Sequence, residues 1–412
     1  MTTDIVVSAP GKVILHGEHS VVYGKVAVAS SLNLRCFVRS AISKDGDVTL
    51  DLPDVNICRK WSVASLEDNL VRHLELCHDS HGHPSPPSEK SFHRLKRFAE
   101  IDNEESETRH LAIISFLYLY CYICQRRTEH SALPPIHVRM ISQLPVGAGL
   151  GSSAAFSVCL AAVLLQLTGQ ATPSVHPEEQ GDSNPAKGAV LKWSLDDLLL
   201  INKWAFLGEK IIHGHPSGID NSVSTLGGAI RFQNKQITTV QKMPSIKILL
   251  TNTNVPRSTK TLVAYVKNKH DKFPEVMGPV LQAMEGLAER SIKVYGHMFD
   301  RPDKWQGYSQ LEELIDINQQ LLNTIGVGHS SLDRVVKLTA RQALHSKLTG
   351  AGGGGCAYTL LRPDTPDEKI QAACKDLEEA GFDCWVTNVG AVGVYYHSNP
   401  DSDASLPERL LE

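Results

Sequence analysis

The segment Pro145-Val146-Gly147-Ala148-Gly149-Leu150-Gly151-Ser152-Ser153 carries three glycines at alternate positions and runs directly into an apolar helical pattern over residues 154–167. Glycine at that spacing lets a backbone approach an anion closely and turn its N–H groups toward it. A helix starting near Ser152 adds the positive end of its dipole. The chemistry this suits is the cradling of phosphate, with a hydroxyl at Ser152 or Ser153 reaching a magnesium ion that bridges the phosphates. Other phosphate-binding patterns fit less well. The glycine spacing is not that of a dinucleotide fingerprint, no lysine follows as in a Walker A loop, and the protein-kinase triplets H-R-D and D-F-G do not occur. A plain glycine turn before a core helix stays open on this segment alone.

Three further stretches carry polar chemistry. In Ala9-Pro10-Gly11-Lys12-Val13-Ile14-Leu15-His16-Gly17-Glu18-His19, Lys12 follows a Pro-Gly turn in what reads as a strand-to-helix passage. A flexible cation there can be aimed at phosphate or at an oxygen developing negative charge. In residues 208–221, Glu209 ends a helix and Asp220 sits in a turn, so two carboxylates from separate elements can face one site. The run Thr349-Gly350-Ala351-Gly352-Gly353-Gly354-Gly355 leads into an apolar strand and allows close backbone approach to a ligand, as at Gly352 and Gly353. A glycine-rich linker has the same composition, and a charged residue taken singly is as readily a solvated surface group.

The elements that must position these groups are legible from pattern. Residues 5–8, 27–39 and 48–52 read as strands, being β-branched or alternating. Residues 154–167 form an apolar helix stopped at Gly169, and Ser194-x-x-Asp197 resembles a helix cap for residues 194–208. Strands at 229–232 and 246–251, helices from Ser258 onward, and a closing strand, helix, strand, strand over 358–397 suggest an α+β second domain on an antiparallel sheet. The organisation expected is an N-terminal domain over 1–228, interrupted by a polar, mobile surface insertion at 170–188, a C-terminal domain over 229–397, and a polar, fraying tail over 398–412.

Composition narrows the partners. With 412 residues and 42% hydrophobic content the chain is long enough for two packed domains, and a net charge of −4 without a long basic run argues against nucleic acid or an anionic membrane. The opening residues carry an acid and only a short apolar run, unlike a secretory signal or transit peptide, so the cytosol is the expected location. The longest apolar run, 111–124, is about two-thirds of a bilayer span and reads as a buried helix. Its Cys121-x-x-Cys124 reads as core packing, and the nine scattered cysteines as reduced thiols. The histidines between His73 and His93 fall in a proline-rich loop without ligand spacing and are given no chemistry.

Pro10-Gly11-Lys12, the loop from Gly147 to Ser153 and the run from Thr349 to Gly355, in this order, resemble the three motifs of the GHMP small-molecule kinases, the galactokinase, homoserine, mevalonate and phosphomevalonate kinase superfamily. Within it, the segment from Lys12 to His19, Trp204-Ala205-Phe206 and His213-Gly214-x-Pro216-Ser217-Gly218-x-Asp220-Asn221 closely resemble the eukaryotic mevalonate kinases. The similarity covers residues 6–397. It departs in the 170–188 insertion and at Asp54, beside the nucleotide base, where relatives carry asparagine.

The resemblance implies an α+β, two-domain GHMP kinase fold. Its N-terminal domain is like ribosomal protein S5 domain 2, its C-terminal domain is ferredoxin-like, and the active site lies in the cleft between them. It implies ATP- and magnesium-dependent phosphorylation of the 5-hydroxyl of mevalonate, with Asp220 as proton acceptor, Lys12 on the transferred phosphoryl group, and Ser153 and Glu209 as magnesium ligands. ATP would contact Lys12, Ser142, Gly147, Ala148, Gly149, Leu150, Gly151, Ser152, Ser153 and Asp54. The substrate would contact Glu18, His19, Arg257, Thr259, Gly352 and Gly353, with Arg257 the candidate cation for a carboxylate. A cytosolic homodimer and inhibition by isoprenoid diphosphates at the ATP phosphate site are also implied. Two alternatives are another GHMP specificity, such as galactose or phosphomevalonate, and a sensor of ATP and a metabolite that does not turn over.

Overall fold

In the computed structural model, residues 4–74, 84–99, 107–125, 133–145, 147–175, 191–300, 305–400 and 403–411 are described. Most of the expected insertion, 176–188, and the histidines His78, His81 and His83 lie outside them.

Long runs of β-branched and small apolar residues make β1 (Asp4–His16) and β2 (Ala27–Ile42) the central antiparallel pair, both buried along most of their length. The Pro-Gly turn expected before Lys12 is instead a register shift inside β1, between Pro10 and Gly11, and the strand continues through Lys12 to His16. A bulge tolerates a proline that has no N–H for the ladder. β3 (Asp47–Leu52), β4 (Ile57–Ser62) and β5 (Ile136–Ser142) extend this half of the sheet.

The helices Glu107–Gln125, Ser152–Leu167 and Ser194-capped Leu195–His213 pack together, the central one lying against β1 and β2. Their contact surfaces bury Phe116, Tyr118 and Trp204 completely. The capping box is formed in both directions, Ser194 Oγ accepting from the Asp197 N–H at 3.1 Å and Asp197 Oδ2 from the Ser194 N–H at 3.3 Å. Cys121 and Cys124 are buried among these helices, and burial pushes the Cys121 thiol up to about 12.

Part of the expected insertion is docked: Ala171 is buried, Gln170 Nε2 donates to Ile123 O at 3.0 Å, and β6 (Ser174–Val175) pairs with β7 (Leu191–Lys192). β8 (Ala229–Gln233) pairs with β2 and with β9 (Gln236–Val240), so strand pairing of the first half runs past residue 228.

β10 (Ile246–Asn252), β11 (Ser346–Leu348), β12 (Cys356–Leu360) and β13 (Asp383–Val389) form the expected antiparallel second half, with helices Thr259–Lys272, Pro274–Asp300, Trp305–Ile325 and Ser330–Ala340 beside it. The ladder pair of Leu32 with Val389 helps join the two halves into a sheet of 12 strands among the described residues. β14 (Tyr395–Tyr396) returns to pair with β1.

The tail is not frayed where it is described. Leu406 and Leu410 are buried against Val6, Phe37 and Ile141, and the helix Glu408–Leu411 is held by Arg39 and Arg139, which donate to the carbonyls of Leu411 and Arg409. Polar composition had hidden two leucines spaced one helical turn apart.

Candidate active site

The glycine loop folds back over β1, where Lys12 N–H donates to Leu150 O at 2.7 Å. Gly147, Gly149 and Gly151 all have positive φ, 74°, 75° and 76°. This is a backbone state glycine adopts without strain, and turns of this kind suit the presentation of amides to an anion. Gly151 caps the helix Ser152–Leu167 with no side-chain hydrogen bond to its first turn, leaving those N–H groups to an anion. A cavity of about 670 Å³ opens in front of the loop, lined also by Ser152, Ser153 and Lys12.

Two carboxylates face it from different helices. Asp220 lies in the first turn of the helix Ile219–Leu226, not in a turn as expected, and its Oδ1 is 3.3 Å from Lys12 Nζ. Glu209 is near the end of the helix Leu195–His213 and 2% exposed, and its Oε1 has no hydrogen-bond partner. Burial, then the charge of Asp220, push its carboxyl up to about 8 against the opposing effects of the Ser153 hydroxyl and Lys12. The Ser153 hydroxyl and His213 Nε2 hydrogen-bond at 2.9 Å; that contact had no signal beyond the motif containing His213.

An unpartnered buried carboxylate oxygen beside a hydroxyl and a phosphate cradle fits a hard cation. Among the described residues no three His, Cys, Asp or Glu side chains converge into a cage. Magnesium, which keeps several waters and takes phosphate oxygens, suits such a sparse donor set.

The remaining residues divide. Glu18, His19, Arg257 and Thr259 line the cavity. His19 Nε2 is 2.7 Å from Ala351 O, and burial lowers its pKa. Arg257 spans two glycine segments, donating from Nη2 to Ala148 O at 2.9 Å and from Nη1 to Gly354 O at 3.5 Å. Gly350 and Ala351 also line the cavity. Gly352 and Gly353 are turned elsewhere: the Gly353 N–H donates to Val327 O at 2.8 Å, and a Cβ on Gly352 would lie 2.1 Å from the same oxygen. The close approach that selects glycine at those two positions is to the protein's own chain.

Asp54 and Ser142 are bound to each other, the Ser142 N–H donating to Asp54 Oδ2 at 2.7 Å. Asp54 Oδ1 pairs with Arg409 at 3.1 Å. The cavity wall beside them is supplied by Leu52 and Val55. Sequence reasoning missed Lys347, a fully buried lysine whose Nζ hydrogen-bonds Glu18 Oε1, and Asn318, whose Nδ2 donates to Glu18 Oε2 at 3.4 Å. The available signal was a lysine inside the short strand that enters the third glycine run.

Residues 117–178 match the model of the GHMP kinases N terminal domain and residues 306–379 that of the GHMP kinases C terminal. Fold and site together define a GHMP kinase. A mevalonate kinase of Bos taurus is 47% identical over 406 residues, and one of Homo sapiens is 46% identical over 406 residues, each match covering 98% of both chains. The crystal structure of the Methanococcus jannaschii mevalonate kinase, at 18% identity, shares the fold with a TM-score of 0.65 over 94% of this chain and 99% of its own. The chain belongs to the mevalonate kinase family.

Proposed function

We propose that this chain transfers the γ-phosphoryl group of ATP to the 5-hydroxyl of (R)-mevalonate, giving 5-phosphomevalonate and ADP. The observation that carries the reading is the contact of Lys12 with Asp220, 3.3 Å, at the mouth of the glycine loop. The near-full-length similarity to mevalonate kinases supplies the substrate.

The amides of residues 147–151 and the start of the helix Ser152–Leu167 hold the phosphates, with the apolar wall of Leu52, Val55 and Ala112 on the base side. Ser153 and Glu209 would hold Mg²⁺, which supplies charge neutralisation of the phosphates when bound. Asp220 orients the attacking hydroxyl. A carboxylate is too weak a base to deprotonate an alcohol beforehand, so it accepts the proton as the new P–O bond forms. Lys12 stays against Asp220 and the transferred group, balancing the charge that develops there. Arg257, Thr259 and His19 face the acceptor, Arg257 as the cation for its carboxylate, with the buried Glu18 behind His19.

The same cradle and apolar wall suit an isoprenoid diphosphate as a competitor of ATP. A homodimer in the cytosol completes the reading.

The test is ADP release with MgATP on mevalonate, phosphomevalonate, galactose and homoserine, with the product mass measured. Turnover on mevalonate is expected, falling about 10²–10⁴-fold in Asp220→Asn with the fold retained. Turnover on another member of the panel would replace the substrate and keep the site; ATP binding without any product would favour a sensor.

A further inference from the structure

Glu18 and Lys347 form an ion pair in which both side chains are 0% exposed. Taking two such charges out of water costs several kcal/mol per ion, and an apolar pair of the same volume holds a fold as well or better. The pair therefore calls for a use beyond stability, and its position supplies one. Glu18 borders the cavity with its carboxylate buried beneath the surface, and Lys347 lies behind it.

Around them the contacts are directional. Lys347 Nζ bonds Glu18 Oε1 and donates to Leu348 O at 2.7 Å, with the ring of Tyr358 at 5.1 Å. Asn318 on the helix Trp305–Ile325 reaches Glu18 Oε2 and, at 3.5 Å, His16 Nδ1. The neighbouring Gln319 Oε1 accepts the Leu348 N–H at 2.8 Å and fixes β11 to that helix. Lys347 and Asn318 contact Glu18 directly, Tyr295 and Tyr358 lie close enough to feel its charge, and His16 joins the cluster through Asn318. Burial drives Glu18 and Lys347 toward their neutral forms, and their contact opposes this.

The location along β1 separates this cluster from the phosphate cradle. Lys12 marks the cradle, and His16 lies four residues further, about 13 Å at 3.3 Å per residue. Beyond His16 the chain reaches Glu18 and His19, which line the cavity with Ala351, His19 Nε2 lying 2.7 Å from Ala351 O.

We propose that Lys347 is a positioning residue: with Asn318 it clamps the buried carboxylate of Glu18 and so fixes the segment Gly17-Glu18-His19, whose His19 imidazole lines the acceptor end of the cavity. The inference rests on the proposed phosphoryl transfer and adds to it how the C-terminal half, through β11, sets acceptor binding on a residue of the N-terminal half.

The test is the KM of each substrate in full-length Lys347→Met, with the acceptor being whichever alcohol of the panel wild type phosphorylates. The acceptor KM is expected to rise at least about tenfold, the worth of one hydrogen bond to a charged group, while the ATP KM stays within about twofold. Lys347→Gln, which restores a donor, recovers part of the loss. Should Lys347→Met fail to fold, Asn318→Ala releases the other oxygen of Glu18, and the same split between the two KM values is read from it. A folded Lys347 variant, or Asn318→Ala in its place, with a wild-type acceptor KM, or with both KM values raised alike, overturns the inference. Wild type silent on every alcohol overturns the proposed function and this inference with it.

Discussion

Glu209 is held where burial and a neighbouring carboxylate oppose its ionisation, and its pKa of about 8 stands far above the ordinary 4.5. Between those two values the folded protein keeps a proton that the unfolded chain has released, so this side chain lowers stability as pH rises. Metal-free Glu209→Gln is accordingly expected to melt a few degrees above wild type at pH 8, with the advantage shrinking toward pH 5, while its turnover falls at least about 10²-fold. Equal melting at both pH values would remove the buried-charge argument. Magnesium must expel the same proton, so its apparent affinity should climb by up to about tenfold per pH unit from 6 to 7. Glu209, Asp220, Ser153 and Lys12 were picked out in the sequence by short motifs rich in glycine and proline together with the family resemblance, and all four line one cavity. Lys347 and Asn318 were not legible, because a lysine in a strand and an asparagine in a helix read as solvated until long-range packing closes over them.

Among the elements, the glycine loop is where backbone conformation and site chemistry are the same thing. Gly151 has φ +76°, and a Cβ there would stand 2.9 Å from Lys12 Cγ. Gly169 has φ +71° and nothing within 4 Å of a Cβ, at the far end of the same helix. Alanine at either position is expected to cost about 1–2 kcal/mol from the left-handed backbone alone. Gly151→Ala alone should also lower kcat, by about tenfold or more, because it displaces Lys12 from Asp220. Matched losses in thermal melts with activity lost only in Gly151→Ala would bear this out; activity lost equally in both would assign the effect to stability. Helix and strand cores were readable from periodicity, since apolar spacing reports local burial. The course of β1 through Pro10-Gly11 was not, because a bulge and a turn begin with the same residues and only the pairing of Lys12 with Ser31 across the ladder distinguishes them.

At the scale of the whole molecule, the segment 403–411 straps the outer face of β1, β2 and β5 and reaches the wall of the cavity. Leu406 and Leu410 fill the apolar cluster with Val6, Phe37 and Ile141. Arg409 then pairs with Asp54, whose other oxygen holds the Ser142 N–H, and the turn carrying Asp54 also carries Val55 of the cavity lining. A chain of contacts thus runs from the tail to the side of the cavity assigned to the nucleotide base. Leu410 is 0% exposed, so Leu410→Asp loses its apolar burial and places a charge in its stead, for an expected destabilisation of about 2–4 kcal/mol. If the strap also sets the cavity wall, the milder Arg409→Ala, which removes only a partly exposed ion pair, should leave the melting temperature nearly unchanged and raise the ATP KM a few-fold, with the acceptor KM unaltered. An Arg409→Ala enzyme with a wild-type ATP KM would confine the tail to a stabilising role. The paired kinetics therefore decide whether the strap acts on fold alone or on fold and nucleotide together.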